Sequence, residues 1–316
     1  MTSPTPAVSV VVPCFNEQRV LEAFCQRMTA ACESTGLDYE ILLVDDGSRD
    51  QTWSMMCAAA RRNPHIAGMR LSRNRGHQLA LSAGLAHARG ARVLVIDADL
   101  QDPPELLPVM LKLMDEQEAD VIYGKRRHRS GESAFKLATA HLFYRFLSVL
   151  SDTEIPKDTG DFRLLSRRVV DAFNQMPEQE RFIRGMISWI GFKQEPLLYD
   201  REERAAGRSK YPFRKMVHFA INALTSFSTR PLRLASYLGF AIGIMSLGAI
   251  VYSIVLHYRG YTIHGWTSLI VVVLFVGALQ LFVLGIIGEY LGRLFMESKG
   301  RPLYVIAEMV GREQGN

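Results

Sequence analysis

The sequence predicts an α/β domain with a mainly parallel, doubly wound sheet, followed by a hairpin of two transmembrane helices. Short β-rich apolar runs alternate with helical segments between residues 8 and 126, a pattern typical of a parallel sheet with helices on both faces. Residues 234–258 and 266–288 contain no Asp, Glu, Lys or Arg. Each of these two runs exceeds the roughly 20 residues that a membrane-spanning helix needs.

The α/β part contains five expected strands, at residues 8–12, 40–44, 66–71, 92–96 and 120–123. Helical composition marks the segments between them, near residues 17–34, 51–62, 77–89 and 104–117. Ligands of such sheets bind beyond the carboxyl ends of the strands. Those ends carry unusual polar residues here, so we expect the functional site at this edge.

Residues 127–210 are less regular, with a helical piece near 135–150. Residues 212–229 carry apolar side chains at helical spacing, which predicts an amphipathic helix in the lipid interface or an ordinary surface helix. The short loop 259–265 makes the two spans a hairpin. Basic residues precede and follow this hairpin, so the positive-inside rule places both flanks in the cytoplasm.

The chain therefore divides into four expected parts. A cytoplasmic α/β domain comprises residues 1–211, an interfacial helix residues 212–231, two transmembrane helices (about 234–258 and 266–291) residues 232–293, and a cytoplasmic tail residues 294–316. The tail reads as a strand at 301–309. The first residues lack the basic-then-apolar pattern of a cleaved signal peptide, which agrees with a cytoplasmic domain.

The net charge of +5 suits nucleic acid, anionic lipid or a phosphate-bearing substrate. The basic clusters lie beside the membrane segments, which favours lipid and phosphate over nucleic acid. The four cysteines form no CxxC pair with zinc-ligand spacing. No GxxxxGK[ST] or GxGxxG segment indicates an ATPase or a dehydrogenase.

The segment DADLQD follows the fourth expected strand. Asp97 and Asp99 can be aimed at one site, where Mg²⁺ or Mn²⁺ would accept their oxygens and still bind a diphosphate. Acidic pairs also occur in solvated turns, so this pair alone is a weak signal.

Two further polar groups follow the first and second strands. In VDDGSRDQT, Asp45 and Asp46 can accept hydrogen bonds from a base or ribose, while Asp50 can cap the next helix. In SVVVPCFNE, Pro13 ends the first strand and Glu17 opens a helix. Three polar strand ends at one edge of a sheet indicate a binding site.

The segments PCFNE, VDDGSRDQT, SRNRGHQLALSAG and DADLQDPPE resemble, in order, the signatures of family 2 glycosyltransferases with the Rossmann-like nucleotide-diphospho-sugar (GT-A) fold. The continuation YGKRRHRSGE, TGDFRLLSRR, RFIRG and DREERAAGRSKYPFRK, followed by two spans, resembles the polyprenyl-phosphate branch. The greatest likeness is to bactoprenol (undecaprenyl-phosphate) glucosyltransferases, with dolichol-phosphate mannose synthases more distant. The resemblance covers nearly the whole chain.

The resemblance implies an inverting enzyme that transfers a hexose, with glucose preferred, from a UDP-sugar to undecaprenyl phosphate at the cytoplasmic face of the bacterial plasma membrane. The product would be a lipid-linked sugar donor for cell-envelope glycosylation. Alternatives are another donor, namely GDP-mannose, UDP-GlcNAc or a modified UDP-pentose, or a non-catalytic membrane scaffold or sensor. A processive polysaccharide synthase would carry QxxRW, whereas QERFI lacks the Trp.

The resemblance also implies a cofactor, partners and site residues. The cofactor is Mg²⁺ or Mn²⁺, the partners include membrane lipid, and similar tails in relatives help to build tetramers. The nucleoside would be held by Pro13, Glu17, Asp45 and Asp46, and the metal and diphosphate by Asp97, Asp99 and Gln101. Basic positions that match phosphate contacts are Arg126, Arg201, Arg204 and Lys210, with Lys136, Arg127 and Arg129 toward the acceptor phosphate or lipid headgroup.

Asp161, in TGDFRLL, matches a proposed catalytic carboxylate of the branch, although mannose synthases have Ser there. Its place between a helical segment and FRLL predicts a loop that reaches the active site. A phosphate monoester has a second pKa of about 6 and is already ionised at neutral pH. We therefore prefer an orienting role for Asp161 and keep a general-base role as the alternative.

Overall fold

The computed structural model describes residues 5–126, 159–200, 230–259 and 266–311. These residues fall into two compact units. An α/β unit contains the described residues up to 200 together with 302–311, and a helical unit contains 230–259 and 266–301.

The α/β unit is built on one eight-stranded sheet in the order β7-β5-β6-β4-β1-β2-β3-β8. Its strands are β1 Val8–Cys14, β2 Tyr39–Asp45, β3 Ile66–Leu71, β4 Arg92–Val95, β5 Val121–Arg126, β6 Thr159–Ser166, β7 Gln194–Tyr199 and β8 Ile306–Val310. The central pairs β4-β1, β1-β2 and β2-β3 are parallel, as is β5-β7. By contrast, β6 runs antiparallel to β4 and β5, and β8 antiparallel to β3.

Helices cover both faces of this sheet because its central strands are apolar on both sides. The helices are α1 Leu21–Glu33, α2 Thr52–Arg62, α3 His77–His87, α4 Leu107–Glu116, α5 Arg167–Gln175 and α6 Ile183–Ile190. One core cluster contains Phe24 of α1 and Met110 of α4. A second contains Ala80 and Ala83 of α3 against Leu42 of β2. This doubly wound arrangement confirms the predicted fold class.

The five expected strands are confirmed as β1 to β5, and the expected tail strand is confirmed as β8. The irregular character predicted for residues 127–210 is wrong for its described part, which contains β6, β7, α5 and α6. The loop predicted around Asp161 is also wrong. Asp161 lies within β6, whose apolar residues Phe162, Leu164 and Leu165 are buried in the sheet.

The helical unit consists of α7 Arg230–Tyr258 and α8 Trp266–Ser298. Among the described residues, one segment is long and apolar enough to cross a membrane, 275–298 in α8, and a shorter apolar stretch, Gly239–Gly248, lies in α7. Large apolar side chains such as Phe240 and Leu281 are exposed, as is typical of a surface that contacts lipid or a protein partner. Both predicted spans stay predictions.

Three predicted features lie outside the described residues. They are the helical piece near 135–150, the amphipathic helix at 212–229 and most of the loop between the spans.

Candidate active site

The loops that follow β1 and β2 are joined by hydrogen bonds. The Asn16 amide donates to Ser48 Oγ (2.9 Å), and the Arg49 amide returns a bond to Asn16 Oδ1 (2.9 Å). The Glu17 amide donates to Thr52 Oγ1 (2.9 Å). Asn16 has a φ of 59°, a left-handed conformation that Asn tolerates better than most residues. The two loops therefore form one continuous rim.

Asp45 and Asp46 connect this rim to the loop after β3. Asp46 accepts hydrogen bonds from the Arg75 amide (2.6 Å) and the Gly76 amide (2.8 Å). Burial raises the pKa of Asp46, and these two amides oppose the increase. Asp45 is fully buried; its Oδ1 accepts the Ser48 amide (2.9 Å), and its Oδ2 lies 3.4 Å from Arg70 Nε. Both carboxylates thus fix loop backbone, and their contact with a nucleoside stays a prediction.

Gly47 allows the β2 and β3 loops to touch backbone to backbone. Its φ is +69°, and a Cβ added there would lie 2.7 Å from the Asn74 amide nitrogen and 2.8 Å from the Arg73 carbonyl carbon. A side chain at this position would force the loops apart. Both the backbone conformation and the lack of space therefore require glycine at position 47.

The acidic segment after β4 has a strained backbone. Leu100 is buried and has a φ of 58°, a rare conformation for a bulky residue. The Gln101 amide donates to Asp99 Oδ1 (3.1 Å). The Asp97 side chain is 31% exposed, but its Oδ1 is buried and has no hydrogen-bond partner among the described residues. Burial, together with the charges of Asp161 and the other nearby carboxylates, raises the pKa of Asp97 to about 6, although His77 opposes this.

The pairing of β4 with β6 brings Asp161 close to Asp97. The last pair in their antiparallel register is Val95 with Arg163, and beyond it the two carboxylates lie 3.6 and 3.2 Å from the same His77 Nε2. Because β6 runs against its neighbours, its beginning meets the carboxyl ends of β4 and β5. A carboxylate inside a strand thus reaches the edge of the sheet that carries the acidic segment.

The Asp161 carboxylate is enclosed by hydrogen-bond donors. Arg184 Nε donates to Oδ1 (2.7 Å), and Arg184 Nη2 donates to Oδ2 (3.2 Å). His77 Nε2 and Gln78 Nε2 each lie 3.2 Å from Oδ2. Burial alone would raise the pKa of Asp161, but the His77 hydrogen bond and the Arg184 charge outweigh it and hold the pKa well below its usual range. Asp161 is therefore a buried acceptor that is ionised at neutral pH.

His77 connects the two carboxylates. Its Nε2 lies 3.2 Å from Asp161 Oδ2 and 3.6 Å from Asp97 Oδ1. Burial lowers the pKa of His77, whereas the Asp161 hydrogen bond and the charge of Asp97 raise it, with a net increase. The imidazole between the two acids therefore takes up a proton more readily than a free histidine does.

A second polar chain lies at the carboxyl ends of β5 and β7. Tyr199 donates its hydroxyl hydrogen bond to Asp102, which is 2% exposed. Arg126 interacts with the Tyr199 hydroxyl, while its buried Nε has no hydrogen-bond partner in the described part of the chain. The contacts of Tyr199 with Asp102 and Arg126 therefore hold the Arg126 guanidinium beside the acidic segment.

One edge of the sheet therefore carries the described residues expected from the sequence: Pro13, Glu17, Asp45, Asp46, Asp97, Asp99, Gln101, Arg126 and Asp161. The remaining expected residues lie outside the described ranges: Arg127, Arg129, Lys136, Arg201, Arg204 and Lys210.

Sequence reasoning missed the side chains that surround Asp161 and Arg126, namely His77, Gln78, Arg184 and Tyr199. Two short segments, SRNRGHQLALSAG and RFIRG, contain the first three, and both belong to the resemblance. These two motifs mark the three residues as part of the family resemblance, but the motifs alone do not show that the residues contact Asp161.

The acidic segment suits a cation that binds together with a substrate. Within the described ranges, no three His, Cys, Asp or Glu side chains converge as a complete metal site. Asp97 and Asp99 offer two carboxylates, and the buried Asp97 Oδ1, which accepts no hydrogen bond from the described residues, is an oxygen that a divalent ion could use. Such an ion would take its other oxygens from a diphosphate and water.

A doubly wound sheet with a DxD pair beside interlocked polar loops defines a glycosyltransferase of the GT-A class. The chain belongs to glycosyl transferase family 2, whose family model matches residues 9–173. A second model, described as the GtrB C-terminal hairpin, matches residues 230–294.

Relatives resemble the chain over nearly its full length. It is 43% identical over 308 residues to the uncharacterized glycosyltransferase YkcC of Bacillus subtilis (strain 168), covering 96% of this chain and 94% of that protein. It is 39% identical over 301 residues to the bactoprenol glucosyl transferase of Shigella phage SfV, covering 95% and 97%. It is 38% identical over 303 residues to the prophage bactoprenol glucosyl transferase homolog of Escherichia coli (strain K12), covering 95% and 98%.

Proposed function

We propose that the protein transfers a hexose, with glucose preferred, from a UDP-sugar to undecaprenyl phosphate with inversion at the anomeric carbon. The observation that carries this proposal is the pair of neighbouring carboxylates, Asp97 and Asp161, which share His77 at the edge of the sheet that carries the loops after β1 and β2. Relatives named as bactoprenol glucosyl transferases support the choice of acceptor and of sugar. The lipid-linked sugar would then serve cell-envelope glycosylation.

The reaction is a direct displacement. An oxygen of the lipid phosphate forms a bond to the anomeric carbon, the bond from that carbon to the diphosphate breaks, and the electron pair leaves on UDP. Because a phosphate monoester with a second pKa of about 6 is ionised at neutral pH, the nucleophile has no proton to lose. The displacement therefore needs charge compensation and alignment more than it needs a base.

Asp161 suits an orienting role better than a basic one. An effective general base has a pKa near the operating pH, whereas the pKa of Asp161 is strongly lowered and both its oxygens already accept hydrogen bonds. Its ionised carboxylate fixes the Arg184 guanidinium and holds His77, whose Nε2 lies 3.6 Å from Asp97 Oδ1. A fixed guanidinium of this kind stabilises charge that gathers during phosphate chemistry.

The cofactor in this proposal is Mg²⁺ or Mn²⁺, held by Asp97 and Asp99 with Gln101 nearby. Such an ion, when bound, offsets the charge of the departing diphosphate. Arg126 supplies a fixed guanidinium at the same edge. We assign the remaining phosphate contacts to Arg201, Arg204 and Lys210, and the acceptor headgroup to Arg127, Arg129 and Lys136, as the family resemblance implies.

We also propose that the protein is a multi-pass protein of the bacterial plasma membrane, with both termini and the α/β unit in the cytoplasm. The match to the GtrB C-terminal hairpin and the apolar helix α8 support membrane association. The basic residues on either side of the hairpin support this orientation. A homo-oligomer, such as a tetramer, is part of the same proposal, and light scattering of the detergent-solubilised protein measures its mass.

The test is a donor panel. Purified full-length protein, undecaprenyl phosphate and Mg²⁺ are incubated with labelled UDP-glucose, UDP-GlcNAc, a UDP-pentose or GDP-mannose, and label in the organic phase is counted. We expect transfer chiefly from UDP-glucose. Preferred transfer from another nucleotide-sugar would correct the donor, and absence of transfer from every donor would favour a non-catalytic scaffold or sensor.

A further inference from the structure

Residues 303–310 return to the α/β unit after the membrane hairpin and complete its sheet. Strand β8 pairs antiparallel with β3, and the Ser72 amide donates to the Val305 carbonyl (2.8 Å). Apolar side chains of this segment, including Tyr304 and Met309, pack against the core cluster beneath α3. The segment is therefore seated beside the loop that follows β3.

Arg75 connects this returning segment to Asp46. Its Nε and Nη2 both donate to the Leu303 carbonyl, at 2.9 and 2.8 Å, while its own amide donates to Asp46 Oδ1 (2.6 Å). Two donors on one carbonyl fix the guanidinium plane, and hydrogen bonds from a charged donor are stronger than neutral ones. Asp46 and residue 303 are thus bridged by a single residue.

Arg70 makes a parallel connection to Asp45. Its Nε lies 3.4 Å from the buried Asp45 Oδ2, and its Nη1 lies 3.5 Å from Glu308 Oε1 on β8. Trp53 Nε1 donates to the other Glu308 oxygen (3.1 Å), and the Arg70 guanidinium lies over the Trp53 ring at 5.8 Å. Glu308 therefore fixes the arginine that compensates the charge of Asp45.

We propose that residues 303–310 are a positioning element of the donor site, acting on Asp46 through Arg75 and on Asp45 through Arg70. This inference rests on the proposed function, in which these two acids hold the nucleoside. None of the positioning residues needs to touch the donor. Without residues 303–310, the loop after β3 loses the contacts that hold it in place. Binding of the nucleotide-sugar must then also order this loop, which lowers the affinity.

The inference predicts that Arg75→Leu weakens nucleotide binding selectively. We expect the Kd of UDP, measured by calorimetry on the full chain with Mn²⁺, to rise about tenfold, equivalent to about 1.4 kcal/mol. The KM of the sugar donor should rise in parallel, with kcat and the KM of the lipid acceptor within about twofold of wild type. Arg75→Lys keeps the charge and one hydrogen-bonding nitrogen, so it should recover part of the affinity for UDP. Glu308→Gln should weaken UDP binding about threefold.

The matched control is Arg89→Leu. Arg89 also makes a two-donor contact, to Glu40 Oε2 at 3.1 and 2.9 Å, but at the amino end of β2. We expect a reduced Tm with an unchanged Kd for UDP, because the lost contact is remote from the loops.

The outcomes separate the inference from the proposed function. Wild-type UDP affinity in both Arg75→Leu and Glu308→Gln would overturn the inference and would not contradict the proposed function. If the wild-type protein binds GDP and not UDP, the affinities of the variants and the wild type are compared with GDP, and the same results support or overturn the inference. A wild-type protein that binds neither nucleotide would overturn both the proposed function and this inference.

Discussion

Replacing Asp161 by Asn removes one negative charge and keeps the shape of the side chain. In the wild-type protein the carboxylate is 6% exposed and accepts hydrogen bonds from Arg184, His77 and Gln78. An Asn side chain has only one acceptor oxygen, so its amide group must face at least one of these donors. Arg184 donates to both oxygens, so in either orientation of the Asn side chain it loses one of the two hydrogen bonds that fix its guanidinium.

The size of the effect follows from the lost contacts. A hydrogen bond to a charged group contributes about 1.5–3 kcal/mol, and each ~1.4 kcal/mol corresponds to a tenfold change in rate. Losing the alignment that one such bond maintains predicts a fall in kcat of at least about tenfold. A true general base contributes roughly 10² to 10⁴ in rate.

The assay is the rate of sugar transfer to undecaprenyl phosphate between pH 6 and pH 9, at saturating donor. We expect kcat of Asp161→Asn to be nearly independent of pH above 7, because the nucleophile is already ionised. Wild-type turnover would remove Asp161 from the site. A larger loss that recovers at high pH would refute the orienting role and favour the general base.

The same variant changes the pH dependence of stability. The pKa of Asp161 is lowered in the folded state, so its ionised form stabilises the fold above the unfolded pKa of about 3.9, and this contribution declines as pH falls toward the folded pKa. The stability deficit of Asp161→Asn should therefore be largest near neutral pH and shrink below pH ~4. Asp120→Asn is a matched control, because Asp120 is a buried carboxylate paired with Arg168 and Ser166 before β5. It should lower Tm and leave kcat unchanged.

Three further predictions concern the metal and the membrane. EDTA should abolish activity and Asp99→Ala should nearly abolish it with circular dichroism unchanged; full activity in EDTA would contradict the metal requirement. The pKa of Asp97 is about 6, so the apparent Kd for Mn²⁺ should rise about tenfold per pH unit below 6, and a flat Kd from pH 5 to 7 would argue against Asp97 as a ligand. In a Cys57→Ser background, a cysteine at Thr262 should react with an impermeant thiol reagent from outside whole cells and one at Glu313 should not; the reverse pattern would refute the topology.

The parallel half of the sheet could be predicted from sequence because its strands are short, apolar and followed by polar turns. Segments such as SVVVPC and EILLVDD identify both the strand and the position of its acids at one edge. The strand β8 could also be predicted, as an apolar run after the second predicted span. Its pairing with β3 could not be predicted, because the paired residues lie more than two hundred positions apart in the sequence.

The environment of Asp161 could not be predicted for a physical reason. Strand β6 enters the sheet antiparallel between β4 and β5, an insertion that depends on tertiary packing and not on a local pattern. Only that insertion brings Asp161 close to Asp97, and His77, at the start of α3, and Arg184, in α6, to the same carboxylate. The lowered pKa that argues against a basic role is therefore a property of the assembled fold.

The most direct test of the central claim is the anomeric configuration of the lipid-linked product. Purified protein is supplied with UDP-glucose, whose glucose is α-linked, and undecaprenyl phosphate, and the product is extracted and analysed by mass spectrometry and proton NMR. The account predicts undecaprenyl-phosphate-linked glucose with the large anomeric coupling of a β-linked sugar, as one direct displacement requires. An α-linked product, or UDP-glucose left unused while the lipid is intact, would contradict it.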